Sequence, residues 1–113
     1  MGLFSNIFKS GTTISPQEAH DILSQSKDAV LLDVRSPGEY RQARIKGAKL
    51  IPVDELPSRA ASELPDKGRH ILVYCQSGAR AGSAVSMLTK MGYENVQSFG
   101  GIMSWPYEIV KGA

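Results

Sequence analysis

At 113 residues, 42% of them apolar, the chain has the size and composition of one domain with a real core. Its formal net charge of +2 comes from scattered basic residues with no arginine- or lysine-rich stripe, which argues against nucleic acid as a partner and suits small anionic substrates. A single cysteine excludes an internal disulfide framework, and with only His20 and His70 beside it the soft ligands for a zinc site are too few, so no metal is expected.

A lone free thiol fits a reducing compartment, and the expected location is cytoplasmic. No segment approaches the roughly 20 apolar residues that cross a membrane. Residues 1–11 form a separate N-terminal arm, broken from the rest by Ser10-Gly11. The arm has no long apolar region and no cleavage pattern, so it does not read as a signal peptide. Asn6 stands where a myristoylation signal requires Ser or Thr. Leu3, Phe4, Ile7 and Phe8 line one side of a short helix that packs on the domain or frays; a membrane-surface or partner helix is the less favoured reading.

Residues 12–113 are read as one domain. Thr12-Thr13-Ile14 is a short strand. Ser15-Pro16-Gln17-Glu18 starts a helix, with a Ser15/Glu18 capping box and proline at the first helical position. That helix runs to about Ser26 with Ala19, Ile22 and Leu23 on its apolar face, and His20 is a surface or half-buried position on it. Ala29 to Val34 is a continuous apolar run ending in Asp33-Val34, followed by Arg35. Continuous rather than alternating hydrophobicity predicts a strand buried on both faces, as in a parallel sheet.

Ser36-Pro37-Gly38-Glu39 repeats the helix-start signal, for a short helix through Tyr40 to about Ala43. Ile45 to Ala48 is a turn, and Lys49-Leu50-Ile51 is a strand stopped by Pro52. Asp54 to Leu64 reads as a turn and then a helix with Pro57 or Ser58 near its start. His70 to Tyr74 is a buried strand, and Ala81, Ala84, Val85, Leu88 and Met91 give the next helix one apolar face, with Gly92 as its stop. Val96 to Phe99 is a fifth strand, and Gly100-Gly101 opens a last helical stretch from Ile102 to about Ile109. Strands alternating with helices predict a parallel sheet covered on both faces. Ligands of such sheets bind outside the carboxyl ends of the strands, where Cys75 and Asp33-Val34-Arg35 can share a rim.

Cys75-Gln76-Ser77-Gly78-Ala79-Arg80 sits between the strand ending at Tyr74 and the long helix. Backbone N–H groups and the helix dipole at such a turn favour a thiolate and attract anions. Ser77 and Gly78 are small enough for the backbone to curl round an anion, and Arg80 is a permanently charged donor suited to oxyanions. Arg80 also has a compatible alternative use, an ion pair with a carboxylate such as Asp33. Asp33 and Arg35 read as a pair that braces the loop. A buried, inert Cys75 is the bland alternative.

The whole of residues 12–109 resembles a single-domain rhodanese. The resemblance is carried by Leu32-Asp33-Val34-Arg35, Glu39-Tyr40, Ile45-x-Gly47-Ala48 leading to Ile51-Pro52, Val73-Tyr74-Cys75-x-Ser77-Gly78-x-Arg80, Gly92-Tyr93-x-Asn95-Val96, and Gly100-Gly101-x-x-x-Trp105. It implies a doubly wound α/β domain around a five-stranded parallel sheet with helices on both faces. It also implies a sulfurtransferase that carries sulfane sulfur on a Cys75 persulfide, cradled by Gln76, Ser77, Gly78, Ala79 and Arg80. The donor would be thiosulfate or another small anionic persulfide, and the acceptor a thiol, a thiol-bearing protein or cyanide; no metal or organic cofactor is required. Gly100, Gly101 and Trp105 read as packing residues. Arg44 departs from the pattern, standing where many relatives carry His, and adds a cation near the rim. Protein tyrosine phosphatases use a Cys-x5-Arg loop, one residue longer, so the loop here suits sulfur better than phosphate. A sulfur-relay or protein-binding module with its own partner is the remaining alternative. Small rhodaneses are monomers or dimers, and either state is compatible with this chain.

Overall fold

A computed structural model describes residues 11–112. The N-terminal arm thus lies almost wholly outside the described residues. The elements in chain order are α1 (Pro16–Gln25), β1 (Val30–Asp33), α2 (Pro37–Gln42), β2 (Ala43–Ile45), β3 (Lys49–Leu50), α3 (Leu56–Glu63), β4 (Ile71–Cys75), α4 (Ala79–Lys90), β5 (Val96–Gly101) and β6 (Ile109–Lys111). Short 3₁₀ turns precede α3 at Val53–Glu55 and follow β5 at Ile102–Ser104.

Both capping boxes form as read: Ser15 Oγ accepts from Glu18 N while Glu18 Oε1 accepts from Ser15 N, and Ser36 and Glu39 repeat the exchange. The main sheet has strand order β3-β1-β4-β5 and is parallel throughout. Thr13 adds one bridge beside Ser98 of β5, supported by hydrogen bonds from Ile14 N to Ser98 O and from Ser98 N to Thr12 O. The expected first strand is therefore reduced to a single bridge. The extended backbone continues only through Ser15, the N-cap of α1, and Pro16 then starts the helix.

Alternate strand residues face opposite layers. Leu32, Ile71, Val73 and Cys75 pack with Leu56 and Ala60 of α3 and Ala81, Ala84 and Leu88 of α4. Leu31, Leu72, Tyr74 and Phe99 pack with Ala19 of α1 and with Trp105. The sheet is doubly wound, with helices on both faces, as anticipated.

The last helix does not form. After the 3₁₀ turn, Trp105 is extended (φ −87°, ψ 111°), and the chain enters β6, which pairs antiparallel with β2 through Ala43–Lys111, Arg44–Val110 and Ile45–Ile109. Two local causes act together. Pro106 disfavours helical backbone at the residue before it. Trp105 is buried against Phe99 and Tyr107, with ring centroids 5.1 and 5.0 Å away, which fixes the chain across the sheet rather than along it. The stretch at Ala43–Ile45, read as the end of a helix and the start of a turn, becomes the other half of this small ribbon.

Candidate active site

Cys75 is the last residue of β4, and its register with β5 shifts between Val73 and Cys75, where Cys75 comes opposite Gly101. The side chain is 1% exposed and faces the α3/α4 layer. Gln76 and Ser77 then turn the chain, and Gly78 caps α4 with φ 126°. That left-handed value strains any residue with a Cβ. No side chain caps the helix, and Gly78 N donates to Cys75 Sγ at 2.9 Å. The sulfur thus accepts from the N–H of the N-cap residue itself and lies at the positive end of the α4 dipole.

Gly101 explains how the loop can lie so low. A methyl group built on Gly101 would overlap the Gln76 carbonyl and come within 2.6 Å of Ser77 N. Its backbone is ordinary extended chain (φ −139°, ψ 166°), so glycine is required here by the close approach of the loop alone. Met103 N also donates to Gln76 O, at 3.4 Å.

Asp33 and Arg35 form a buried pair, 0% and 2% exposed. Arg35 Nη2 donates to Asp33 Oδ2 at 2.7 Å, and Arg35 Nε donates to Asp33 Oδ1 at 3.0 Å. Burial alone would lower the Arg35 guanidinium, but the hydrogen bonds and charge of Asp33 outweigh it and hold the cation above its usual value. Arg35 also donates from Nη2 to Ala43 O, at 2.6 Å, and from Nη1 to Gln76 Oε1, at 3.2 Å. The pair therefore ties β1 to the start of β2 and to the first residue of the loop. The shared rim anticipated from the strand ends is present.

Arg80 makes a bidentate ion pair, but with Glu39 rather than Asp33. Nη1 donates to Oε1 at 2.7 Å and Nη2 to Oε2 at 2.9 Å. The Arg80 hydrogen bonds pull the Glu39 carboxyl down to about 2, against the cost of its partial burial, and Glu39 in turn raises Arg80. Glu39 was legible as the far end of a capping box; its second partner, 41 residues on, was not. Arg44 is committed elsewhere. Its Nη1 donates to Gly112 O and Tyr40 O, and its guanidinium lies 5.0 Å over the Tyr40 ring. It clips the C-terminal ribbon rather than joining the loop.

Beside the loop runs a shallow groove lined by Arg35, Glu39, Gln76, Ile102, Met103 and Ile109. Met103 on its lip is 73% exposed. Chemically, the arrangement offers one sulfur, a backbone donor aimed at it, a helix N-terminus behind it and an arginine whose charge is shared with a carboxylate.

The family model of the rhodanese-like domain matches residues 15–107. The chain is 40% identical over 81 residues to the thiosulfate sulfurtransferase PspE of Escherichia coli K12, covering 72% of this chain and 78% of that one. Among solved structures, a rhodanese with anions from E. coli aligns with TM-score 0.70 and 38% identity over 74% of this chain and 99% of its own. The Alr3790 protein of Anabaena aligns with TM-score 0.81 and 28% identity over 88% of this chain and 92% of its own. On the sequence match from α1 to Tyr107, and on a fold shared with these structures, the chain belongs to the family of rhodanese-like domains.

Proposed function

We propose that this protein is a sulfurtransferase that carries sulfane sulfur as a persulfide on Cys75. The observation that supports it best is the Cys75 sulfur lying under a tight loop with Gly78 N–H directed at it. In the first half-reaction the Cys75 thiolate attacks the outer sulfur of thiosulfate or another persulfide donor. The donor S–S bond breaks, its electron pair leaves on sulfite, and the new S–S bond forms on Cys75. The backbone amides from Gln76 to Arg80 and the α4 dipole stabilise the anionic persulfide. In the second half-reaction a thiol, or cyanide in vitro, takes the outer sulfur and restores the thiolate.

Asp33 and Arg35 hold Gln76 and so shape the loop without touching substrate. The thiol is suited to a reducing compartment. The PspE relative is named for thiosulfate, which makes thiosulfate the first donor to try. Thiosulfate and cyanide should give thiocyanate with ping-pong kinetics, seen as parallel double-reciprocal lines, and Cys75→Ser should give none. Hydrolysis of an aryl phosphate without thiocyanate formation would favour a phosphatase instead. Absence of both activities would favour a module that hands sulfur only to a specific protein partner or merely binds one.

A further inference from the structure

Arg80 does not come to the loop as an isolated cation. Glu39 closes the capping box of α2, with Oε1 accepting from Ser36 N at 2.9 Å and from Ser36 Oγ at 3.0 Å. The same carboxylate takes two donors of the Arg80 guanidinium, so the helix start fixes Glu39 and Glu39 fixes Arg80. With its carboxyl pulled down to about 2, Glu39 is ionised throughout the neutral range. Glu39 lines the groove beside the loop together with Gln76. One positive and one negative charge therefore enter the site together. What remains for an incoming anion is the partial charge of the loop amides and the α4 N-terminus, about half a unit.

We propose that Glu39 is a specificity-determining residue: its carboxylate cancels the Arg80 charge at the loop, so the loop disfavours doubly charged sulfur donors and favours singly charged ones such as alkyl persulfides and thiosulfonates. The donor preference rests on the sulfur-transfer reading above; the cancelled field at the sulfur does not. The charge count shows why donor charge matters. Thiolate plus thiosulfate carries three negative charges into the transition state and yields persulfide anion plus sulfite. Thiolate plus methanethiosulfonate carries two and yields persulfide anion plus methanesulfinate. Each case breaks one S–S bond and forms one, with the electron pair leaving on the sulfur oxyanion. A fixed carboxylate near the loop penalises the first more than the second.

The test is alkylation of Cys75 by iodoacetate and by iodoacetamide, followed by intact mass in the native protein and in Glu39→Gln. The two reagents are nearly the same size, so access to the buried sulfur and any loosening of the loop cancel in the ratio of their rates. Removing one carboxylate charge should raise the iodoacetate-to-iodoacetamide ratio about three- to tenfold. The ratio of kcat/KM for thiosulfate over methanethiosulfonate should rise by a similar factor. An unchanged or lower alkylation ratio overturns the proposal, because a purely positioning carboxylate would leave it flat. A raised alkylation ratio with an unchanged donor ratio overturns the donor preference. If the native protein takes sulfur from neither donor, the sulfur-transfer reading fails, and the alkylation ratio alone decides the role of Glu39. Should Glu39→Gln not fold, the native protein still decides it. With Arg80 cancelled, its alkylation ratio should fall less than about twofold between low salt and about 0.5 M salt, and a steeper fall overturns the proposal.

Discussion

Replacing Gly101 with alanine adds one methyl group beneath the Cys75 loop. The backbone of Gly101 is extended, so alanine fits its φ and ψ without strain. On that ground alone the change would stabilise the protein by about 0.4–1 kcal/mol through the unfolded chain. The sterics oppose it. The methyl carbon overlaps the Gln76 carbonyl and sits 2.6 Å from Ser77 N, and both are backbone atoms that no rotamer change can move aside. Overpacking of this kind costs about 1–3 kcal/mol. The net expectation is a loss of about 1–2 kcal/mol, read as a fall in Tm of several degrees, about 4 °C per kcal/mol for a domain of this size. The loop must also rise off β5, which moves Gly78 N from the sulfur. A misplacement near 1 Å costs about a hundredfold in rate. Thermal unfolding and the rate of thiocyanate formation measure the two effects separately. A higher Tm together with a native rate would refute the claim that the loop is seated on Gly101.

Three further outcomes follow from the same contacts. Arg35→Met leaves Asp33 buried without its cation and should cost about 3–5 kcal/mol in denaturant unfolding, far more than the loss of an exposed pair; a cost under about 1 kcal/mol would mean that the Asp33–Arg35 pair does not brace the rim. Arg80→Ala should leave the protein folded and weaken use of anionic donors, whereas unchanged donor kinetics would remove Arg80 from the site. Glu39 is depressed in the folded state, from an ordinary value of 4.5 to about 2, so its ion pair contributes stability above the unfolded value that is lost as pH falls through that window. Because Arg80 is 40% exposed, solvent screening holds that contribution to about 1 kcal/mol. The stability difference between the native protein and Glu39→Gln should therefore shrink between about pH 5 and pH 2, and a constant difference would contradict it.

What could be read from the sequence was whatever short-range chemistry determines. Ser15-Pro16-Gln17-Glu18 and Ser36-Pro37-Gly38-Glu39 announce their helices within four residues, and both capping boxes form. Continuous apolar runs mark β1 and β4 because both faces of those strands are covered. The strand, loop and helix around Cys75 are contiguous, so that part of the site could be placed from its own residues. Failures came where a distant partner decides. Residues 109–111 form a strand because Ala43–Ile45 lies alongside, a pairing that no local pattern reports. The partner of Arg80 is Glu39, already explained by its cap and so not sought as a site residue. Gly101 reads as a packing residue at the start of a last helical stretch, because nothing in its local sequence reports the loop that crosses it.

The central claim is that Cys75 carries sulfur. Reduced protein incubated with thiosulfate and examined by intact mass should gain the mass of one sulfur atom. Cyanide should remove it, and Cys75→Ser should never acquire it. A native protein that stays at its own mass with thiosulfate and with small persulfide donors alike would contradict the account.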